Sequence, residues 1–353
     1  MKEKIMVVTF LIIIFGAFIA FVCIPDTTLS YFERRSLKQF PTKLDEGFTE
    51  NLDDYIVDQF PLRNDLIKLN SLISRNIYGI KDTNDVYVVG DILVDKEPAI
   101  KEKEVTGFVN KMNTIISRYL EKANVYYSVI PDKAYFLDET KYLKLDYDKF
   151  YEKLQGIEAK YIDVKSVLTL DDYYRTDIHW KQENLDKIVK TLMLNMGKNY
   201  IQTEYETKTY LGFAGASYSK AGGIVEKDTL NYLTNSIIEN AKVTHLEYGD
   251  RTVYDEERLS GVDPYDVFLS GATSYIEVEN ILSETDNELI IFRDSFSSSL
   301  IPLLVPYYNK ITVVDLRYIT LDLAASRIDF DNKDVLMLYS VPIINSSSTL
   351  KVY

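Results

Sequence analysis

The longest apolar run comes first. Ile5 to Ile24 holds twenty residues without a charge, and as a helix it would span roughly 30 Å, the thickness of a bilayer core. Lys2 and Lys4 precede it. That order predicts an uncleaved single-pass anchor with its N-terminus inside and residues 25–353 outside the cell. The competing reading is a cleaved signal peptide. The run is long for one, and no small-x-small site stands near Cys23. Asp26 to Pro41 is polar and reads as a juxtamembrane linker. From Phe48 to Ile77 apolar residues recur near helical spacing, at Leu52, Ile56 and Phe60 and again at Leu66, Leu69, Leu72 and Ile73. Pro61 divides them, so two helices are expected. Asp85–Val89 and Ile92–Val94 flank Gly90-Asp91 as a hairpin would.

Beyond residue 100 the pattern alternates. Thr106–Tyr119 suits an amphipathic helix, Val125–Ile130 a buried strand, Tyr161–Val164 a short strand and Glu183–Met196 a helix. Residues 200–265 carry Gly212, Gly215, Gly222 and Gly223 with little periodicity, and read as an insertion of short strands and loops. Val267–Leu269, Leu289–Phe292, Ile311–Val314 and Val335–Tyr339 then read as strands. Short apolar strands alternating with helical stretches indicate an α/β fold, a parallel sheet covered by helices. The expected division is an anchor (1–24), a linker with helices (25–80) and a main α/β domain (81–353) holding the insertion.

Composition narrows the function. Apolar residues make up 46% of the 353 and charged residues 27%, ample for a core. The 28 tyrosines are expected mostly as half-buried strand residues. A net charge of −14 argues against nucleic acid, whose phosphates demand a basic surface. With one cysteine, Cys23, neither an intrachain disulfide nor a thiolate metal cluster is expected. The chain lacks Gly-x-Ser-x-Gly, a phosphate-cradling glycine loop and a dinucleotide fingerprint, so no cofactor is expected.

Two short stretches carry candidate chemistry. Leu289–Phe292 stops at Arg293-Asp294-Ser295, where ligands of open α/β sheets bind. A serine there becomes a nucleophile only beside a base. The chain has two histidines. His179 lies two residues after Asp177, so on an extended segment both would point the same way. His245 lies in the irregular stretch and is given no role. The structural readings stand beside these: Ser295 or Asp294 as a helix cap, Asp177–Trp180 as an ordinary loop with Trp180 in the core, Arg293 as an ion-pair residue. One histidine among scattered carboxylates is a poor metal signature.

Asp294-Ser295-Phe296 after an apolar strand, with Thr176-Asp177-Ile178-His179-Trp180 upstream, resembles the SGNH-hydrolase-like proteins of polysaccharide O-acetylation. These include the alginate acetylation proteins and the DHHW proteins of clostridia-like bacteria. Glu33–Leu37, Asp58–Arg63, Gly212–Gly215, Tyr265–Gly271 and Val314–Tyr318 also resemble family segments. The resemblance implies an SGNH-hydrolase-like three-layer α/β fold with rearranged block order. It implies Ser295 as nucleophile, His179 as base and Asp177 as orienting acid. It further implies an acetyl group passed through a serine acyl-enzyme to a polysaccharide, with a membrane-bound O-acyltransferase as partner. Ile178 stands where the DHHW pattern has its first histidine, and Ala272 where the SGNH asparagine would follow Gly271. Oxyanion or substrate contacts then fall to Gly271, Arg317, Tyr318 and Arg293. A carbohydrate acetyl esterase with the same triad, and a non-catalytic polysaccharide-binding envelope protein, are the alternatives.

Overall fold

A computed structural model describes residues 2–353. The apolar N-terminal run is one helix, α1 (Lys2–Cys23), with none of its side chains buried. It is long and apolar enough to cross a membrane. A two-stranded strap follows, β1 (Leu29–Ser30) paired antiparallel with β2 (Arg35–Ser36). Pro61 separates α2 (Phe48–Asp58) from α3 (Arg63–Asn76). The Gly90 hairpin is present as β4 (Val86–Val89) and β5 (Ile92–Asp95), extended by β3 (Asp82–Thr83). Gly90 sits at φ +64, in the left-handed region that favours glycine at such a turn.

The remaining elements build an α/β core. In chain order they are α4 (Glu102–Tyr119), β6 (Asn124–Ile130), α5 (Tyr147–Leu154), β7 (Lys160–Tyr161) and α6 (Asp186–Asn195). β8 (Glu206–Phe213), β9 (Asp228–Thr234), α7 (Ser236–Asn240), β10 (Lys242–His245) and β11 (Gly249–Arg251) follow. The chain ends with β12 (Tyr275–Glu279), β13 (Glu288–Arg293), α8 (Ser297–Leu304), β14 (Lys310–Val314), α9 (Leu321–Ala325), β15 (Asp334–Ser340) and α10 (Val341–Ile344). Eight strands form the main sheet in the order β11-β10-β12-β14-β13-β15-β6-β7. β14, β13, β15, β6 and β7 run parallel, whereas β12, β10 and β11 add antiparallel at one side.

The central strands are apolar on both faces because both are covered. Leu289 and Ile291 of β13 pack with Leu192, Leu300 and Leu304 of α6 and α8. Ile290 and Phe292 pack with Phe108 and Met112 of α4 on the other face. The chain leaves β13 for β14 through α8 on the first face. It reaches β15, the other neighbour of β13, through α9 on the second. The carboxyl end of β13 is therefore a point where connections part, the usual place for a ligand in such sheets.

Two stretches differ from expectation. Val267–Leu269 is not a strand. Pro264 starts a 3-10 turn over Pro264–Val267, capped by the Asp263 side chain, and Leu269, Ser270 and Gly271 then take positive φ. Burial of Val267, Phe268 and Leu269 explains their apolar character without a ladder. Within 200–265, β8 and β9 form a hairpin, while β10 and β11 belong to the main sheet.

Candidate active site

The site starts from Asp294. Its carboxylate is fully buried and accepts the Phe296 N–H (3.0 Å) and the Ser340 N–H (2.6 Å). Its carbonyl accepts the Ser297 hydroxyl (2.8 Å). Asp294 thus makes a side-chain turn just ahead of α8, whose N-cap residue Phe296 has no side-chain cap, and ties the end of β13 to the end of β15. The Ser295 hydroxyl is left to face another partner.

That partner arrives on a hairpin. Lys181 N–H donates to the Asp172 carbonyl (2.7 Å), Tyr174 N–H to the His179 carbonyl (3.1 Å), and Tyr173 bridges Trp180. Trp180 Nε1 donates to the Phe296 carbonyl (2.8 Å) and Gln182 Nε2 to the Ser299 carbonyl (2.7 Å). Both bonds dock the hairpin on the first turn of α8. His179 Nε2 then lies 2.8 Å from Ser295 Oγ, and Nδ1 lies 2.5 Å from Asp177 Oδ1. The structure brings Ser295, His179 and Asp177 together. The local device is not the strand alternation expected: Asp177 Oδ1 also accepts the His179 N–H (3.0 Å), a side-chain turn across two residues.

Each member is held from behind. The His179 ring stacks on Tyr265, centroids 3.9 Å apart and 7° from parallel, with Phe296 tilted against it at 4.8 Å. Tyr265 is itself fixed by its hydroxyl on Ser299 Oγ (3.0 Å). Asp177 Oδ2 accepts the Ala216 N–H (2.8 Å) and Arg34 Nη1 (3.3 Å). Burial alone would raise the Asp177 carboxyl. His179, Arg34 and the Ala216 N–H outweigh it and hold the group well below the carboxylate range. Asp228 on β9 accepts the N–H of Arg175 (2.8 Å) and of Thr176 (2.7 Å), together with the Thr176 hydroxyl (2.5 Å). That fixes the chain just before Asp177.

The other candidates stand apart. Arg293 is fully buried, its Nη1 on Ser298 Oγ (2.8 Å) and the Asp294 carbonyl (3.3 Å), and among the described residues no carboxylate pairs with it. Arg317 is spent on Asp315 in a bidentate pair of 2.9 and 2.6 Å. Tyr318 lies beside that guanidinium, half exposed. No described contact brings either to Ser295. The Gly271 N–H donates to the Phe268 carbonyl (3.1 Å), and Ala272 is exposed. Arg34, Tyr265 and Asp228 were not singled out for the site from sequence. Arg34 and Tyr265 lie in the family-like segments Glu33–Leu37 and Tyr265–Gly271, but that resemblance assigns them no role, and all three meet the triad only through the fold.

Ile178 and Phe296, the neighbours of His179 and Ser295, share a cleft of about 340 Å³ with Asp132, Lys133, Ala216 and Pro342. A larger concavity of about 1120 Å³, around Arg251–Gly261, touches none of the triad. Asp132 is buried and hydrogen-bonded to the Tyr147 hydroxyl (2.5 Å), and burial lifts its carboxyl to about 6. Between about pH 4 and 6 the folded chain keeps this proton while the unfolded chain loses it, so this group's contribution to stability falls as pH rises. Burial pushes His245 down to about 4, and its contribution runs the opposite way up to about pH 6.5. The two offset in the native chain. Asp132→Asn exposes the second: its stability gains about 2–3 kcal/mol more than the native chain's between pH 4 and 7, read by urea unfolding at both pH values.

No protein-family model matches the chain, and no curated protein does. Solved structures do. A DHHW family protein from Eubacterium siraeum aligns over 76% of this chain and 94% of its own, at 19% identity and a TM-score of 0.62. Bacillus cereus PatB1 carrying a sulfonyl adduct aligns over 73% of this chain and 95% of its own, at 16% identity and a TM-score of 0.59. PatB1 in a second structure gives 16% and 0.57. At these identities the likeness is one of fold. The chain shares its α/β fold with the DHHW family protein of Eubacterium siraeum and with PatB1 of Bacillus cereus.

Proposed function

We propose that the chain is a serine-dependent O-acetyltransferase that acts outside the cell on a surface or secreted polysaccharide. The observation that carries this is one chain of contacts: Ser295 Oγ, His179 Nε2, His179 Nδ1, and a buried, ionised Asp177. In the first half-reaction His179 Nε2 takes the hydroxyl proton as Ser295 Oγ bonds to the acetyl carbonyl carbon. The tetrahedral intermediate collapses, the donor's leaving oxygen takes that proton from His179, and acetyl-Ser295 remains. In the second half-reaction a sugar hydroxyl gives its proton to His179 and attacks the ester. The Ser295 oxygen leaves with the proton, and the acetyl group is on the sugar.

Asp177 holds the tautomer with Nε2 free for the serine proton and stabilises the imidazolium in between. Among the described residues no acceptor is bonded to the Ser295 N–H, which leaves it free as an oxyanion donor. PatB1, of the same fold, has been solved with a sulfonyl adduct, and sulfonyl reagents couple to activated hydroxyls. α1 supports a single-pass anchor. With Lys2 and Lys4 inside, the catalytic domain would face outward, beside a membrane-bound O-acyltransferase supplying acetyl groups.

The test is chemical. Full-length protein in detergent is mixed with 4-nitrophenyl acetate, quenched and digested. Acetyl is expected on the peptide holding Ser295, and its release is expected to speed up with added oligosaccharide alcohols. An unlabelled Ser295 with continuing turnover would sink the proposal. Release to water alone, unaffected by alcohols, would make the protein an esterase.

A further inference from the structure

Arg34 lies 143 residues from Asp177 in sequence and donates to its Oδ2 at 3.3 Å. Its second terminal nitrogen pairs with Asp263. The Asp177 carboxylate therefore has a divided environment: Oδ1 serves His179, while Oδ2 serves Arg34 and the Ala216 N–H. Arg34 sits at φ +57, a conformation sparsely used by side chains other than glycine. That conformation turns Arg34 toward Asp177 while its chain neighbours face elsewhere.

Those neighbours are held by the juxtamembrane helices. Arg35 makes a bidentate pair with Asp58 of α2 (2.8 and 2.6 Å) and bonds Glu33 (2.7 Å). Glu33 pairs with Arg63 of α3. Asp58 also accepts the Lys38 N–H (2.8 Å). Tyr55 of α2 packs edge-on against Phe21 at the end of α1 (5.7 Å) and bonds Asp26 (3.0 Å). The anchor, the two helices and the strap thus form one connected body, with one side chain of the strap on the acid of the triad.

We propose that Arg34 is a positioning residue of the Ser295 site, and that the membrane-proximal strap carrying it completes the acid end of the triad. The proposal rests on the catalytic reading of Ser295 for its kinetic consequence. The guanidinium holds the carboxylate in the plane that His179 needs and offsets part of its charge. Other charged or titratable groups near this pair are Asp263, Tyr265 and Asp266 on the 263–267 turn, Lys133 on the 3-10 turn after β6, Tyr174 on the hairpin and Asp228 on β9. All remain when Arg34 is replaced.

Removing the cation favours the imidazolium, so His179 should titrate higher. In full-length protein in nanodiscs, with ¹³C-labelled histidine, Arg34→Gln is expected to raise the His179 midpoint by about half a pH unit or more. His245→Gln identifies the second histidine signal. With 4-nitrophenyl acetate, kcat should fall about tenfold with KM little changed, and the acid limb of kcat should move up in pH. Arg34→Lys should recover most of the rate. Asp263→Asn, which loosens Arg34 without touching Asp177, should lower kcat less than Arg34→Gln does. An unmoved His179 midpoint in a folded Arg34→Gln protein overturns the proposal, as does a rate loss accounted for by the unfolded fraction alone. Ser295→Ala is run beside these. If it keeps its turnover, the catalytic reading fails, and the histidine titration still decides the role of Arg34.

Discussion

Ser295→Ala is expected to lower kcat for an activated acetyl ester by roughly 10⁴-fold or more, leaving the fold intact. The size follows from what the hydroxyl does in the proposed reaction. It forms and breaks the acyl bond, and no other group shown near His179 Nε2 can take its place. The stability cost should be small, within about 1 kcal/mol, because the hydroxyl's described partner is His179 alone. Steady-state kinetics with 4-nitrophenyl acetate, alongside thermal melting, measure both. His179→Ala should lose activity to a similar extent and also lose stability, because its ring is stacked on Tyr265. A Ser295→Ala protein that keeps a tenth of native activity would show that the contact chain is a structural network, with the reaction lying elsewhere.

Gly215→Ala should be the most damaging substitution outside the triad. A Cβ on Gly215 would lie 2.2 Å from Asp177 Cβ and 2.5 and 2.6 Å from its Cα and N. No side-chain rotation relieves a clash with backbone, so either the 213–217 loop or the Asp177 hairpin must move. Both moves undo bonds already made: Gly215 N–H donates to Thr176 Oγ (3.0 Å), Ala216 N–H to Asp177 Oδ2 (2.8 Å) and Ser217 N–H to the Thr176 carbonyl (3.0 Å). We expect a loss of about 2–4 kcal/mol in stability. The folded fraction should lose about 10²-fold in kcat, since displacing a catalytic group by about 1 Å costs that much. Urea unfolding and active-site titration separate the two effects. Gly107→Ala is the control. The added methyl there meets only Ser347 Oγ at 3.4 Å inside α4, where alanine also favours the helix. A Gly215→Ala protein as stable and active as Gly107→Ala would mean that the loop yields easily and does not hold Asp177.

Much of the sheet was legible because both of its faces are covered. Leu289–Phe292 and Val335–Tyr339 are apolar throughout for that reason, Ile311–Val314 is apolar but for the buried Thr312, and all three are strands. The same rule misled at Val267–Leu269, where Val267 and Phe268 are buried in the cluster around Tyr174, Phe213 and Tyr265 and Leu269 in the main core. β12 escaped notice because Glu277 interrupts its apolar pattern. Glu277 faces Lys310 (2.7 Å) on the neighbouring strand, a pair that only strand order creates. Asp177 and His179 are neighbours in sequence, so their contact could be read in advance, although a side-chain turn rather than an extended strand produces it.

The residues that fix the site were not readable in the same way. Asp228 lies 52 residues from Thr176, and Arg34 lies 143 from Asp177. A single chain offers no local signal for a contact at that separation. Local physics sufficed for what depends on neighbours along the chain: the membrane-length helix, the apolar strands, the closeness of Asp177 to His179 and a serine at a strand's end. Which base meets that serine, which cation meets the acid, and why position 215 has no room for a methyl depend on how distant segments stack. Packing, not propensity, decides those distances, so only the tertiary structure could supply them.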